Sequence, residues 1–131
     1  MPLRGVIIEE SLENPDVLKE VKILRTKVEP ATEKHKTPWL KQWTLHTADI
    51  PEGRAWEIAE KISLAIDHKH KGSWYADFKN DATHYITFRE KVFRIDRSRK
   101  EEYDEAVEYG LSLGIPAHQL DFSPDIAEWQ R

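Results

Sequence analysis

Cysteine is absent from all 131 residues. That single fact excludes disulfides, thiol nucleophiles and thiolate metal sites together, and it leaves the compartment undetermined by redox chemistry. Glycine is scarce, with five scattered copies, so no phosphate-cradling loop, dinucleotide fingerprint or nucleophile elbow can be read. No stretch approaches the roughly 20 apolar residues that span a bilayer. The opening, MPLRGVIIEESLENP, has an apolar run too short for a signal-peptide core and acids directly behind it. A cytoplasmic protein without membrane contact is therefore expected. Excess positive charge is also lacking: 24 acidic and 20 basic residues leave a net charge of -4, which supports solubility and gives no general drive toward nucleic acid.

What is present suffices for one folded unit. Apolar residues make up 39% of the chain and charged residues 34%, enough to bury a core without covalent staples. The length suits a single domain over residues 1–131, and no repeat, low-complexity tract or linker divides it.

The most regular stretch is SWYADFKNDATHYITFREKVFRID, Ser73 to Asp96, where aromatic, β-branched and turn residues alternate as in a three-stranded meander. An odd loop, Asn80-Asp81-Ala82, places Phe78 beside His84 and keeps Trp74, Ala76, Ile86 and Phe88 on one side. A two-residue loop at Glu90-Lys91 pairs Phe88 with Phe93 and Ile86 with Ile95. One face becomes apolar, and the other collects Tyr75, Asp77, Lys79, Tyr85, Thr87, Arg94 and Asp96. Glu-Lys is poor tight-turn chemistry, which makes that link the weaker.

Earlier strands are expected over Gly5 to Glu10, Val21 to Val28 and Trp39 to Thr47, the second as a lysine-bearing edge. Asn14-Pro15-Asp16 reads as a turn that starts a short helical segment. Glu29 to Pro38 reads as an exposed loop. Asp49-Ile50-Pro51-Glu52 reads as a helix start ahead of the stripe Ala55, Ile58, Ala59, Ile62, Ala65 and Ile66, closed by His68 to Gly72. Ser98 to Glu101 opens a second helix with the stripe Tyr103, Ala106, Val107, Gly110 and Leu111, stopped at Gly114, and Ile126 and Trp129 suggest a last helical turn. The class is α+β: a largely antiparallel sheet with two amphipathic helices on one face, ferredoxin-like with an added hairpin.

Such an arrangement leaves a polar face open. There Tyr75, Asp77, Tyr85, Thr87, Arg94 and Asp96 would bind a small polar ligand, the guanidinium grasping an anionic group and the phenols stacking or donating. A solvated sheet face with ordinary cross-strand pairs is the plain alternative. Asp77 and Asp96 would repel phosphate, and the glycine-rich aromatic signature of RNA-binding sheets is missing, which argues against nucleic acid. Arg97, Arg99 and Lys100 gather at the second helix start, where Glu101, Glu102 and Asp104 neutralise them locally. His68 and His70 lack an accompanying ligand motif, so neither metal nor other cofactor is implied. Trp39 and Trp43 either anchor the neighbouring loop or mark a partner surface.

TPWLKQWTLHTADI taken with SWYADFKNDATHYITFREKVFRID is similar to an uncharacterised group of short prokaryotic proteins. The resemblance covers most of the chain and implies a stand-alone prokaryotic domain. It carries no activity or functional residue with it. Three readings follow: a domain binding a polar ligand or protein partner through the open face, an enzyme on a small polar substrate with Asp77 and Tyr85 moving protons, and a homodimer joined by open faces or edge strands.

Overall fold

A computed structural model describes residues 2–32, 40–67, 74–115, 117 and 120. Among the described residues six strands are formed in chain order: β1 (Leu3–Ile8), β2 (Lys22–Pro30), β3 (Gln42–Ile50), β4 (Ala76–Lys79), β5 (Thr83–Phe88) and β6 (Lys91–Asp96). Helix α1 (Ala55–Ala65) joins β3 to β4, and α2 (Lys100–Ser112) follows β6. The strands make one open sheet in the order β2-β3-β1-β4-β5-β6, with every neighbouring pair antiparallel. The α+β class is thus as expected. The expected closing segment His68 to Gly72, residues 33–38 of the expected Glu29 to Pro38 loop, and Ile126 and Trp129 lie outside the described residues, while Glu29 and Pro30 extend β2 instead of beginning that loop.

The helices do not share a face. Trp56 of α1 meets Tyr85 edge-on at 6.3 Å, whereas Tyr103 of α2 meets His84 at 5.4 Å. Successive residues of a strand point to opposite sides, so α1 and α2 cover opposite faces of β5. That corrects the one-face arrangement and with it the ferredoxin-like expectation, in which both helices sit on the same side. Beneath α1, Ile58 and Ile62 pack with Leu3, Ile7, Ile50, Ala76, Phe78 and Tyr85. Beneath α2, Tyr103 and Ala106 pack with Ile86, Phe88 and Ile95. Each such isoleucine or phenylalanine contributes about 1.5–3 kcal/mol when fully buried.

Both helical stripes are close to those expected. Ala55, Ile58, Ala59, Ile62 and Ala65 are buried in α1, and Tyr103, Ala106 and Gly110 in α2, while Leu111 is exposed. Their starts differ. Asp49 lies within β3, and a 3₁₀ turn, Glu52–Arg54, leads into α1 without a side-chain cap. At α2 the work is done one turn earlier: Asp96 Oδ1 accepts from both the amide and the hydroxyl of Ser98, and Glu102 Oε1 accepts from the Asp96 amide. These bonds from Ser98 hold the Asp96 carboxyl below the usual aspartate value. Gly114, at φ +93°, ends α2 as expected, with the Ile115 amide returning to the Gly110 carbonyl.

The end of α1 is closed from a distance. Arg89, in the turn between β5 and β6, donates through Nη1 to the carbonyls of Leu64 (2.9 Å) and Ile66 (2.7 Å) and lies 3.2 Å from Glu13 Oε1. The guanidinium therefore supplies donors and positive charge where the helix exposes unpaired carbonyls. Arg89→Ala is expected to cost about 1–3 kcal/mol, and Arg89→Lys less, measured by urea unfolding. Equal losses for the two would mean that the forked donor geometry is irrelevant.

A 3₁₀ segment, Pro15–Glu20, opens with the Asn14 side chain accepting from the Asp16 amide. It is tied to α1 by a ring of alternating charge in which Glu20 and Glu57 each meet both Arg54 and Lys61.

Candidate functional site

The six residues expected to share an open face do not do so. Phe78 pairs with Tyr85 and Asp77 with Ile86, one residue out of step with the expected register. The cause is the turn between β4 and β5. Asn80 Oδ1 accepts from the amides of Ala82 and Thr83, and the Asn80 amide donates to the Thr83 carbonyl, leaving a two-residue Asp81-Ala82 turn instead of a three-residue loop. Changing the loop from odd to even turns β4 over relative to β5. Between β5 and β6 the turn is Arg89-Glu90, with Glu90 at φ 60°, so Phe88 faces Lys91 and Ile86 faces Phe93. That shift of two residues leaves the β6 faces as expected.

Tyr85, Thr87, Arg94 and Asp96 consequently fall on the α1 side, while Asp77 lies on the α2 side. Three of these are buried. Tyr85 stacks on Phe78 at 5.3 Å, and the Thr87 hydroxyl donates to the Ala76 carbonyl. Tyr75 packs against Phe88 at 5.9 Å in the α2-side core. Trp43 is buried against Trp74 at 5.3 Å, which makes it an anchor; Trp39 lies outside the described residues. Arg94 and Asp96 are exposed and line one open cleft of about 340 Å³ with Ala82, Thr83, Ile95 and Glu102.

In place of an open face, the register assembles a buried polar chain. Asp77 Oδ2 lies 2.7 Å from His84 Nε2, and His84 Nδ1 lies 2.9 Å from the Tyr103 hydroxyl. The carboxylate can only accept, so Nε2 carries the proton and Nδ1 accepts from Tyr103. Arg97 donates to the phenol oxygen, counteracting the rise that burial imposes on the Tyr103 hydroxyl, and also donates to the Asn80 carbonyl at 2.6 Å. Donation thus runs from Arg97 through Tyr103 and His84 to Asp77, a cation at one end and an anion at the other. His84 is fully enclosed, so no substrate reaches its ring. Its bonded members, 7 and 19 residues apart, gave no sign of this chain in the sequence; the signal that could have found it is the Asn80-Asp81 turn chemistry, which sets the parity.

A second histidine bridges three segments at the other end of the sheet. His46 Nε2 donates to Glu9 Oε1 at 2.9 Å, and Thr26 of β2 donates to His46 Nδ1 at 2.8 Å. Glu10 continues the pairing where β1 ends, accepting from the Thr44 amide and hydroxyl. No group of three or more metal-competent side chains occurs among the described residues.

The surface of β2 differs in kind from the rest of the sheet. Its nine residues are exposed almost throughout, it terminates the sheet, and Ile23, Leu24 and Val28 show 39%, 40% and 56% of their surface to solvent. The expected edge position of this strand is as observed. At the α2 start, Arg99 pairs with Glu101 and Glu102 and Lys100 with Asp104, the local neutralisation read from the sequence.

Neither a protein-family model, nor a curated protein, nor a solved structure matches the chain. No helix among the described residues is long and apolar enough to cross a membrane.

Proposed function

We propose that the chain is a binding domain for a protein partner, docked along β2, which ends the sheet among the described residues. The observation that carries this reading is the nine-residue exposed strand with three large apolar side chains left in water. A strand at a sheet edge offers a row of backbone donors and acceptors to an added strand, and its outward side chains select what is added. The bond from Thr26 to His46, and from His46 to Glu9, holds β2 in a fixed place on the sheet, so little order has to be gained on docking.

Catalysis finds less support. Asp77 and Tyr85, the pair suited to proton transfer by their chemistry, lie on opposite faces of the sheet, and His84 beside Asp77 is enclosed.

Photo-crosslinking tests the proposal. A benzophenone side chain at Val28 should give a discrete adduct with a native partner in cells that produce the protein, and one at exposed Leu64 of α1 should not. The adduct should disappear when Ile23→Lys is added. Equal yields from both positions, or an adduct indifferent to Ile23→Lys, would refute docking at β2.

A further inference from the structure

The register of β2 sorts its side chains by chemistry. Lys22, Arg25, Lys27 and Glu29 oppose Asp49, Thr47, Leu45 and Trp43 on one face, whereas Ile23, Thr26 and Val28 oppose Ala48, His46 and Thr44 on the other. The irregularity between Ile23 and Arg25 sets Leu24 out of the alternation and keeps Lys22 on the same face as the later cations. One face of the edge is therefore basic over three of its four positions, and the other is apolar at its two ends.

Resting on the reading of β2 as a docking edge, we infer that the partner is an extended acidic segment of another protein, with carboxylates at alternate positions and apolar residues between them. An added antiparallel strand puts each of its side chains directly across from a β2 side chain on the same face. Carboxylates then meet Lys22, Arg25 and Lys27, at Lys27 in competition with Glu29, whose carboxylate lies 3.6 Å away, and apolar side chains meet Ile23 and Val28. Opposite charges across strands stabilise the pair, and like charges oppose it. The chain as a whole is acidic, so the attraction is local, acting within the roughly 8 Å reach that charges retain at physiological salt.

A second copy of this chain is the poorer occupant. Antiparallel self-pairing that sets Lys22 against Glu29 and Ile23 against Val28 brings Arg25 against Lys27 twice, about a dyad at Thr26. The cations that attract an acidic strand thus also discourage pairing between copies, which is how lysine commonly serves an edge.

The probes are three blocked nine-residue peptides in which valine alternates with glutamate, threonine or lysine, titrated into isotopically labelled protein while amide resonances are followed. The glutamate peptide should shift β2 amides selectively and slow their exchange. Its affinity should fall at least tenfold in Arg25→Glu/Lys27→Glu, and that variant should gain affinity for the lysine peptide. Equal binding of the glutamate and threonine peptides at β2 would overturn the acidic preference while leaving the docking edge itself in place. No perturbation of β2 by the glutamate peptide would overturn the inference, and the crosslinking experiment at Val28 would then judge the edge independently. Concentration-dependent dimers abolished by Val28→Lys would overturn it in favour of a second copy.

Discussion

Gly5→Ala is expected to destabilise the domain by about 3–5 kcal/mol, well beyond an ordinary glycine-to-alanine change. Gly5 lies in β1 between Ala48 of β3 and Phe78 of β4. A Cβ at this position would overlap the carbonyl oxygen of Asp77 and stand 2.5 Å from Phe78 Cα and 2.6 Å from Phe78 Cβ. Two of these three neighbours are backbone atoms, so rotamer changes cannot relieve the overlap. β1 sits inside the sheet with a strand on either side, and displacing it disturbs both. Thermal unfolding should show a fall of roughly 10–20 °C for a domain of this size. Gly53→Ala is the control, since nothing lies within 4 Å of its added carbon; its effect should stay within about 0.5 kcal/mol. Similar behaviour of the two variants would mean that β1 and β4 are not in close contact.

Part of the fold was legible in the letters and part was not, because some features depend on local spacing and others on loop parity. The helical stripes were readable because spacing alone decides them: Ile58, Ala59 and Ile62 can share only one face of a helix. The edge position of β2 was readable from its lysines. Sidedness in the meander was not, because it depends on loop parity, and parity here is set by the Asn80 side chain bonding to two amides beyond it. The preference for an odd loop followed from supposing that one sheet face stays wet. Once α2 covers that face, apolar residues are needed at both parities of β5, and Tyr85 can be as buried as Ile86. The sequence already showed that mixture. Nothing in the spacing of Asp77, His84, Arg97 and Tyr103 announced their meeting, since Tyr103 arrives from a helix whose face is decided by packing. Hence the candidate ligand set dispersed while a different polar group assembled from some of the same residues.

That group gives the second large expectation: Asp77→Ala should cost about 3–5 kcal/mol, the range for breaking a buried ion-containing pair. The substitution removes the carboxylate that accepts the His84 Nε2 proton at 2.7 Å, in a ring with no exposed surface. An unmade hydrogen bond in such a place forfeits the full cost of desolvating the donor. His84→Leu also removes the donor, so the double variant Asp77→Ala/His84→Leu should lose less than the sum of the single losses. Additive losses in a full double-mutant cycle would show that the two side chains do not interact energetically. Tyr103 supplies an independent reading through pH. Burial raises its phenol above the ordinary tyrosine value of 10.0, with the Arg97 hydrogen bond opposing the rise. In the unfolded chain the proton is released near pH 10, whereas the folded chain still holds it. The stabilisation is therefore complete below pH 10 and is lost as pH climbs from there through the folded value. Tyr103→Phe should lower stability at neutral pH by about 1–3 kcal/mol and flatten the alkaline limb of the stability profile. An alkaline limb as steep in the phenylalanine variant as in the parent would place the titrating group elsewhere. If instead both effects appear, the enclosed chain from Arg97 to Asp77 is what locks the β4–β5 turn to α2. The same lock fixes the parity that turns Asp77 inward.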